Sequence, residues 1–294
     1  MIIPCHPRNR PTLPQTLRSL DAAAAAFAGE TERIVVADDE SRGLSWARNQ
    51  GLARATGDIV FFVDADDTVR PDYLRALVSL LEKSFADFAL SSFDYAPLKR
   101  DYDLYGNAAI RAAMLPAFFG YSFEDVRRWN GGGALAARRE QGGVWRCAFR
   151  REFLERHRLR FDEKLFLYED SPFIAECACR ASRVASTREV FYDYTPGPDG
   201  LLASSPRGGV RYREYKFAAL ANRKAIAART GAETLEHFRA SAALTALELL
   251  AGGHVADFRR YAADAFVRKA LREFPLSPRH PLVAAGILSA RRLK

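Results

Sequence analysis

Apolar and polar positions fall in alternating blocks over the first hundred residues. IIPC (2–5) and RIVVA (33–37) are apolar runs of strand length, and between them the stretch from Thr12 to Phe27 repeats apolar positions at helical spacing around an alanine-rich middle. DDESRG (38–43) reads as a turn, and LSWARNQGLARA (44–55) as a helix with Gly57 as its stop signal. DIVFFV (58–63) is a third strand, PDYLRALVSLLEKS (71–84) a helix with proline in its first turn, and DFALSSFD (87–94) a fourth strand. Strands that alternate with helices predict an α/β fold, a mainly parallel sheet with helices on both faces.

In such sheets ligands bind beyond the carboxyl ends of the strands. Asp38, Asp39, Asp64, Asp66 and Asp67 all fall there. The stretch IVFFVDADDTV (59–69) crowds three aspartates into four positions, and their repulsion costs free energy unless a cation or a hydrogen-bonding ligand joins them. Asp64 and Asp66 are two apart in an extended segment and point the same way, while Asp67 enters the turn. Neither GxGxxG nor GxxxxGK[ST] occurs, so phosphate would be held through a metal ion. Mg2+ or Mn2+ suits such a site, because these ions need only one or two carboxylates and complete their shell with water and phosphate oxygens.

At 294 residues and 48% hydrophobic, the chain can bury a sizeable core. MIIPCHPRNR turns polar after three residues and no run of 18 apolar residues follows, so the expectation is a cytoplasmic protein without leader or membrane span. Cys5, Cys147, Cys177 and Cys179 lack zinc-type spacing and are expected as free thiols, and none of the five histidines has ligand spacing. The net charge of +8 is C-terminal: from residue 210 onward there are 16 Lys/Arg against 7 Asp/Glu. Arg268, Lys269, Arg272, Arg279, Arg291, Arg292 and Lys294 surround short apolar segments, a pattern that suits peripheral contact with an anionic inner membrane face as well as a helix with solvated arginines. No nucleic-acid partner is expected.

PCHPRNRPTLPQTLRSL, VVADDES, GLSWARNQGLARATGDIVFFVDADD and RPDYL, followed by VWRCAFRREFLERHRLRF and LYEDSPFIAECACRASRVAS, resemble in order the family-2 glycosyltransferases of GT-A fold, over roughly residues 2 to 205. The resemblance implies an inverting transferase that moves a sugar from a nucleotide-sugar donor, a UDP-sugar first of all, to a hydroxyl of a saccharide or lipid-linked acceptor. It implies a catalytic domain over 1–206, with 1–95 the nucleotide-sugar half and 96–206 the acceptor half, and a helical region over 207–294. Asp39 would accept from the uracil ring with Asp38 beside it, and Arg48 would lie near the same base. Asp64, Asp66 and Asp67 would meet the ribose and the metal-bound diphosphate, with Asp66 and Asp67 as metal ligands. Asp170 would be the general base, or structurally the N-cap of the helix after it. Trp145, Arg146 and Glu169 are weaker candidates for acceptor or sugar contacts.

Several positions depart from that family's pattern. The first strand ends in Pro4, Cys5, His6 and Pro7 where the family has PxYN, and Cys147 stands where WNKL has its lysine, leaving Arg146 as the cation there. The usual extra helix and strand between DDES and GLSWARN are nearly absent, which opens the sheet edge. Two rivals stand beside this reading. One is a Mg-dependent phosphatase of haloacid-dehalogenase type with Asp64 as nucleophile and Asp66 as acid/base. The other is a non-catalytic sugar-binding protein of the same fold.

Overall fold

The structure is a computed structural model and describes residues 1–93, 101–119, 122–133, 143–165, 168–195, 210–231 and 236–275. The elements over the first hundred residues follow the pattern of the chain. They are β1 (Ile2–Cys5), α1 (Leu13–Ala25), β2 (Ile34–Ala37), α2 (Leu44–Arg54), β3 (Ile59–Phe61), β4 (Thr68–Val69), α3 (Tyr73–Ser84) and β5 (Phe88–Ser92). Next come β6 (Tyr102–Tyr105), α4 (Asn107–Phe119), α5 (Phe123–Asn130), β7 (Cys147–Arg150), α6 (Arg151–Arg156), α7 (Asp170–Arg180), β8 (Arg183–Val190) and β9 (Tyr192–Asp193). The last helices are α8 (Val210–Thr230), α9 (Glu236–Ala251), α10 (Val255–Ala262) and α11 (Ala265–Glu273). Two compact units group the described residues within Met1–Met114 and Gln141–Gly200, and within Leu115–Glu140 and Leu201–Lys294.

In the first unit β1 and β2 pair in parallel, and a parallel bridge from Ile2 to Phe62 ties β1 to the strand that carries β3. The sheet continues in the order β3-β7-β5-β8-β6. β7 lies antiparallel to both of its neighbours, β5 and β8 are parallel, and β6 returns antiparallel to β8. β7 is only four residues, CAFR, wedged between a 3-10 turn and α6, so its sequence pattern was too short to announce a strand.

Packing explains the helices. α1 buries Thr16, Leu20 and Ala23, one face at helical spacing, and α3 buries Tyr73, Leu74, Leu77, Val78 and Leu81 by the same rule. α2 lies against β1 and β2 so closely that a Cβ on Gly51 would stand 2.2 Å from Ile2 Cγ2. Gly51→Ala is therefore expected to cost about 1–3 kcal/mol of stability; a urea midpoint unchanged from the parent would show that the contact yields freely.

In the second unit Phe123 and Val126 of α5 join a core with residues of α8 to α11. α9 buries residues on all sides, from Phe238 through Ala242, Ala246 and Leu249, and α11 is capped by Asp264, whose Oδ1 accepts from the Phe266 and Val267 N–H groups. Among the described residues no helix is long and apolar enough to cross a membrane. Of the basic C-terminal cations, Arg279, Arg291, Arg292 and Lys294 lie outside the described residues.

Candidate active site

The site is built at the carboxyl ends of β1, β2 and β3, within the first unit. Immediately after β2, Asp38 is 4% exposed and turned inward. Its two carboxylate oxygens accept from the Arg42 and Gly43 N–H groups, each at 2.7 Å. It thereby fixes the turn that launches α2 from Gly43, whose φ of 102° a side chain would strain. Asp38 thus forms the turn that precedes α2. Its neighbour Asp39 is exposed and ion-paired with Arg10. Arg10 follows a 3-10 turn over Pro7–Asn9, and His6, at the start of that turn, reaches Ser41 Oγ at 3.2 Å. The segment that follows β1 therefore borders this turn, with Arg10 on Asp39 and His6 on Ser41.

Arg48 does not join them. It is 1% exposed, and its guanidinium binds three carboxylates: Nη2 donates to Asp64 Oδ1 at 2.8 Å, and Nη1 to Glu169 Oε1 and Asp170 Oδ1, each at 2.6 Å. Burial opposes its charge, but the three carboxylates outweigh burial and hold its pKa above the ordinary arginine range. Arg48, expected from ARNQG near the base, has its guanidinium engaged by these three carboxylates. α2 turns its buried face, with Ser45 and Ala47, inward, and Arg48 goes with it.

Asp170 is the first residue of α7 and Glu169 is its N-cap, with no side-chain capping bond. The capping alternative for Asp170 therefore fails, since Oδ1 is taken by Arg48 and Oδ2 accepts from the Val144 N–H at 3.5 Å. Tyr168, just upstream, holds a left-handed φ of 58°, a conformation that costs a non-glycine residue on the order of 1–3 kcal/mol and that clusters at functional sites. Burial pushes the Asp170 carboxyl well up, the charges of Glu169 and Asp64 add to this, and Arg48 and the Val144 N–H oppose it. Its side chain still reaches solvent, at 18% exposure, as does that of Asp64 at 22%.

The DADD turn divides its labour. Asp67 is 1% exposed: its Oδ2 accepts from Tyr192 OH at 2.8 Å and its Oδ1 from the Thr195 N–H at 2.7 Å. Tyr192 OH also accepts from the Asp64 N–H at 3.1 Å, so one phenol pins both ends of the turn. Burial and the charges of Asp64 and Asp66 push the Asp67 carboxyl up to about 8. Both oxygens of Asp67, expected as a metal ligand, thus accept hydrogen bonds from within the fold. Among the described residues no three His, Cys, Asp or Glu side chains converge on one cation position. Asp66 is half-buried, and burial together with the Asp64 charge raises its pKa. A divalent cation relieves repulsion of this kind, and one or two carboxylates with diphosphate oxygens suffice for Mg2+ or Mn2+, so Asp64 and Asp66 fit such an ion.

The weaker candidates are walls. Trp145 is 8% exposed, stacks on Tyr192 with centroids 4.5 Å apart, and its carbonyl accepts from Tyr73 OH at 2.7 Å. Arg146 is 2% exposed with its guanidinium 5.4 Å over the Phe93 ring. Tyr192 and Arg10 were missed. FYDY reads in sequence only as a strand end, whereas the arginines of PCHPRNR were visible next to the first strand.

A sheet of this order, with an acidic turn after its third strand and an acid at the start of α7, has the GT-A fold of glycosyltransferases. Residues 21–141 match the family model Glycosyl transferase family 2. The succinoglycan biosynthesis protein ExoO of Rhizobium meliloti is 31% identical over 179 residues, 60% of this chain and 49% of that protein. The uncharacterized glycosyltransferase EpsJ of Bacillus subtilis is 30% identical over 182 residues, again 60% and 49%. The chain thus spans about half the length of these curated relatives. Among solved structures, S. aureus TarS 1-349 superposes with a TM-score of 0.52 at 16% identity, covering 98% of this chain and 81% of that one, a likeness of fold. The phosphatase reading loses its footing here, since it needs the strand before Asp64 to come first, whereas β1 and β2 precede β3.

Proposed function

We propose that this chain is an inverting glycosyltransferase that moves a sugar from a nucleotide-sugar donor, a UDP-sugar first of all, to a hydroxyl of a saccharide or lipid-linked acceptor in the cytoplasm. The observation that carries the reading is the set of carboxylates around one buried cation: Asp64 and Asp170 both reach solvent and both are held by Arg48. In this reading the uracil lies by Asp39, where the donor displaces Arg10, and Asp64 and Asp66 face the ribose and the diphosphate. A divalent ion held by Asp64 and Asp66 would neutralise the charge that collects on the departing diphosphate.

Asp170 takes the proton of the acceptor hydroxyl. The oxygen attacks the anomeric carbon from the face opposite the diphosphate, the anomeric C–O bond breaks, and its electron pair leaves with UDP, so configuration inverts. The raised basicity of Asp170 suits that task. The names of two relatives support the class: one is a succinoglycan biosynthesis protein, the other a glycosyltransferase. A TarS structure aligned at a TM-score of 0.51 is a complex with UDP-GlcNAc, which makes that donor a first choice for trial.

The test is a panel of nucleotide sugars scored by thermal stabilisation with Mn2+. A ligand that binds the native state raises its stability by mass action, about 2.7 kcal/mol at a hundred times its Kd, whether or not the acceptor is known. A shift with UDP-sugars that disappears with EDTA supports the reading; a flat response to all nucleotides with Mn2+ or Mg2+ rejects it.

A further inference from the structure

The Arg48 guanidinium has no open surface for a substrate, yet it is the cation shared by the donor-side carboxylate and the pair that opens α7. We propose that Arg48 and Glu169 are positioning residues for Asp170: Arg48 fixes Asp170 Oδ1 and ties it to Asp64, while Glu169 supplies the counter-charge that keeps Asp170 able to take a proton. This rests on the glycosyltransferase reading above and assigns to both residues a role without substrate contact.

The geometry gives the reasons. Nη1 is divided between Glu169 Oε1 and Asp170 Oδ1 at equal distances of 2.6 Å, so Asp170 does not own its cation. An arginine bound to Asp170 alone would stabilise the carboxylate and weaken it as a base. With Glu169 and Asp64 on the same guanidinium, three negative charges face one positive charge, and the balance at Asp170 tips back toward proton uptake. The groups that face Asp170 are Arg48 from α2, Asp64 from the end of the β3 segment, Glu169 from its own helix start and the Val144 N–H. Val144 N–H stands at the long distance of 3.5 Å from Oδ2, so Oδ2 is the oxygen that an acceptor hydroxyl can engage while Oδ1 stays clamped. Glu169 is 7% exposed at its side chain, which leaves it acting on Asp170 through charge and through Arg48. A lysine cannot reproduce the clamp, because one ammonium lacks the planar fork that spans Asp64 on one nitrogen and the pair on the other.

The experiment uses the full chain, the UDP-sugar that stabilises it most, and Mn2+. UDP release to water is followed across pH for the parent, Arg48→Lys and Glu169→Gln, with UDP affinity measured by calorimetry and folding checked by melting. Glu169→Gln removes a negative charge from beside Asp170, so the acid limb of kcat should move to lower pH and the plateau should fall. Arg48→Lys should lower kcat by about 10-fold or more, with UDP affinity in both variants within about three-fold of the parent. A pH profile of Glu169→Gln that superimposes on the parent overturns the proposal, as does a loss of UDP affinity in step with kcat. If Arg48→Lys does not fold, the Glu169→Gln profile alone decides. A parent that neither binds UDP nor releases it from any donor rejects the glycosyltransferase reading itself, an outcome distinct from active variants with unchanged profiles.

Discussion

Replacing Asp170 by asparagine is expected to leave UDP binding with Mn2+ within about three-fold of the parent while turnover of the donor falls about 100-fold or more. The amide keeps the volume of the side chain and an oxygen for Arg48 Nη1, so the cluster around Arg48 stays closed. What it loses is the capacity to take a proton. Because Asp170 is not among the groups expected to touch the nucleotide, calorimetric UDP affinity and initial-rate kinetics should part company in this variant. Loss of both together would place Asp170 in the donor site and remove it as the base.

Asp66 and Asp67 are adjacent in sequence and should fail in different ways. Asp66→Asn is expected to weaken Mn2+-dependent UDP binding by about 30-fold or more without a change in melting temperature measured in EDTA, since a neutral amide is a poor ligand for a hard cation. Asp67→Ala should instead lower stability even without metal. It strips the acceptor from Tyr192 OH and from the Thr195 N–H, and each buried donor left alone costs about 1–3 kcal/mol. Equal behaviour of the two variants in both assays would mean that the division of labour in the turn is misread. Denaturation in EDTA, set beside titration of UDP with and without Mn2+, separates them.

Periodicity made the first half of the first unit legible. β1, α1, β2, α2, β3, α3 and β5 stand within a few residues of their reading, because each is an uninterrupted block with one buried face or two. β7 escaped, being short and ending in Arg150, which donates to the Leu81 carbonyl of α3 and the Ala86 carbonyl just past it. At the site, sequence located the carboxylates but not their orientations. Asp38 and Asp67 look equivalent to Asp39 and Asp66 in a string of letters, and only the backbone N–H groups and the phenol that they meet show that they face inward. Two of the three carboxylates on Arg48, Glu169 and Asp170, lie more than a hundred residues away in sequence. No local pattern carries a contact of that range.

The position of β8 sets a timetable for synthesis. It pairs with β5 on one side and β6 on the other, yet it follows β6 by a stretch that includes four helices, α4 to α7, and β7. A ribosome adding ~5–20 residues per second leaves the inner edges of β5 and β6 bare for several seconds before β8 emerges to fill the slot between them. β5 is buried along its whole length in the finished fold, so its exposed nascent form is a sticky, unpaired strand during that interval. Slowing the codons of the intervening stretch should therefore lower the yield of intact protein in cells, whereas the same delay placed after β9 should not.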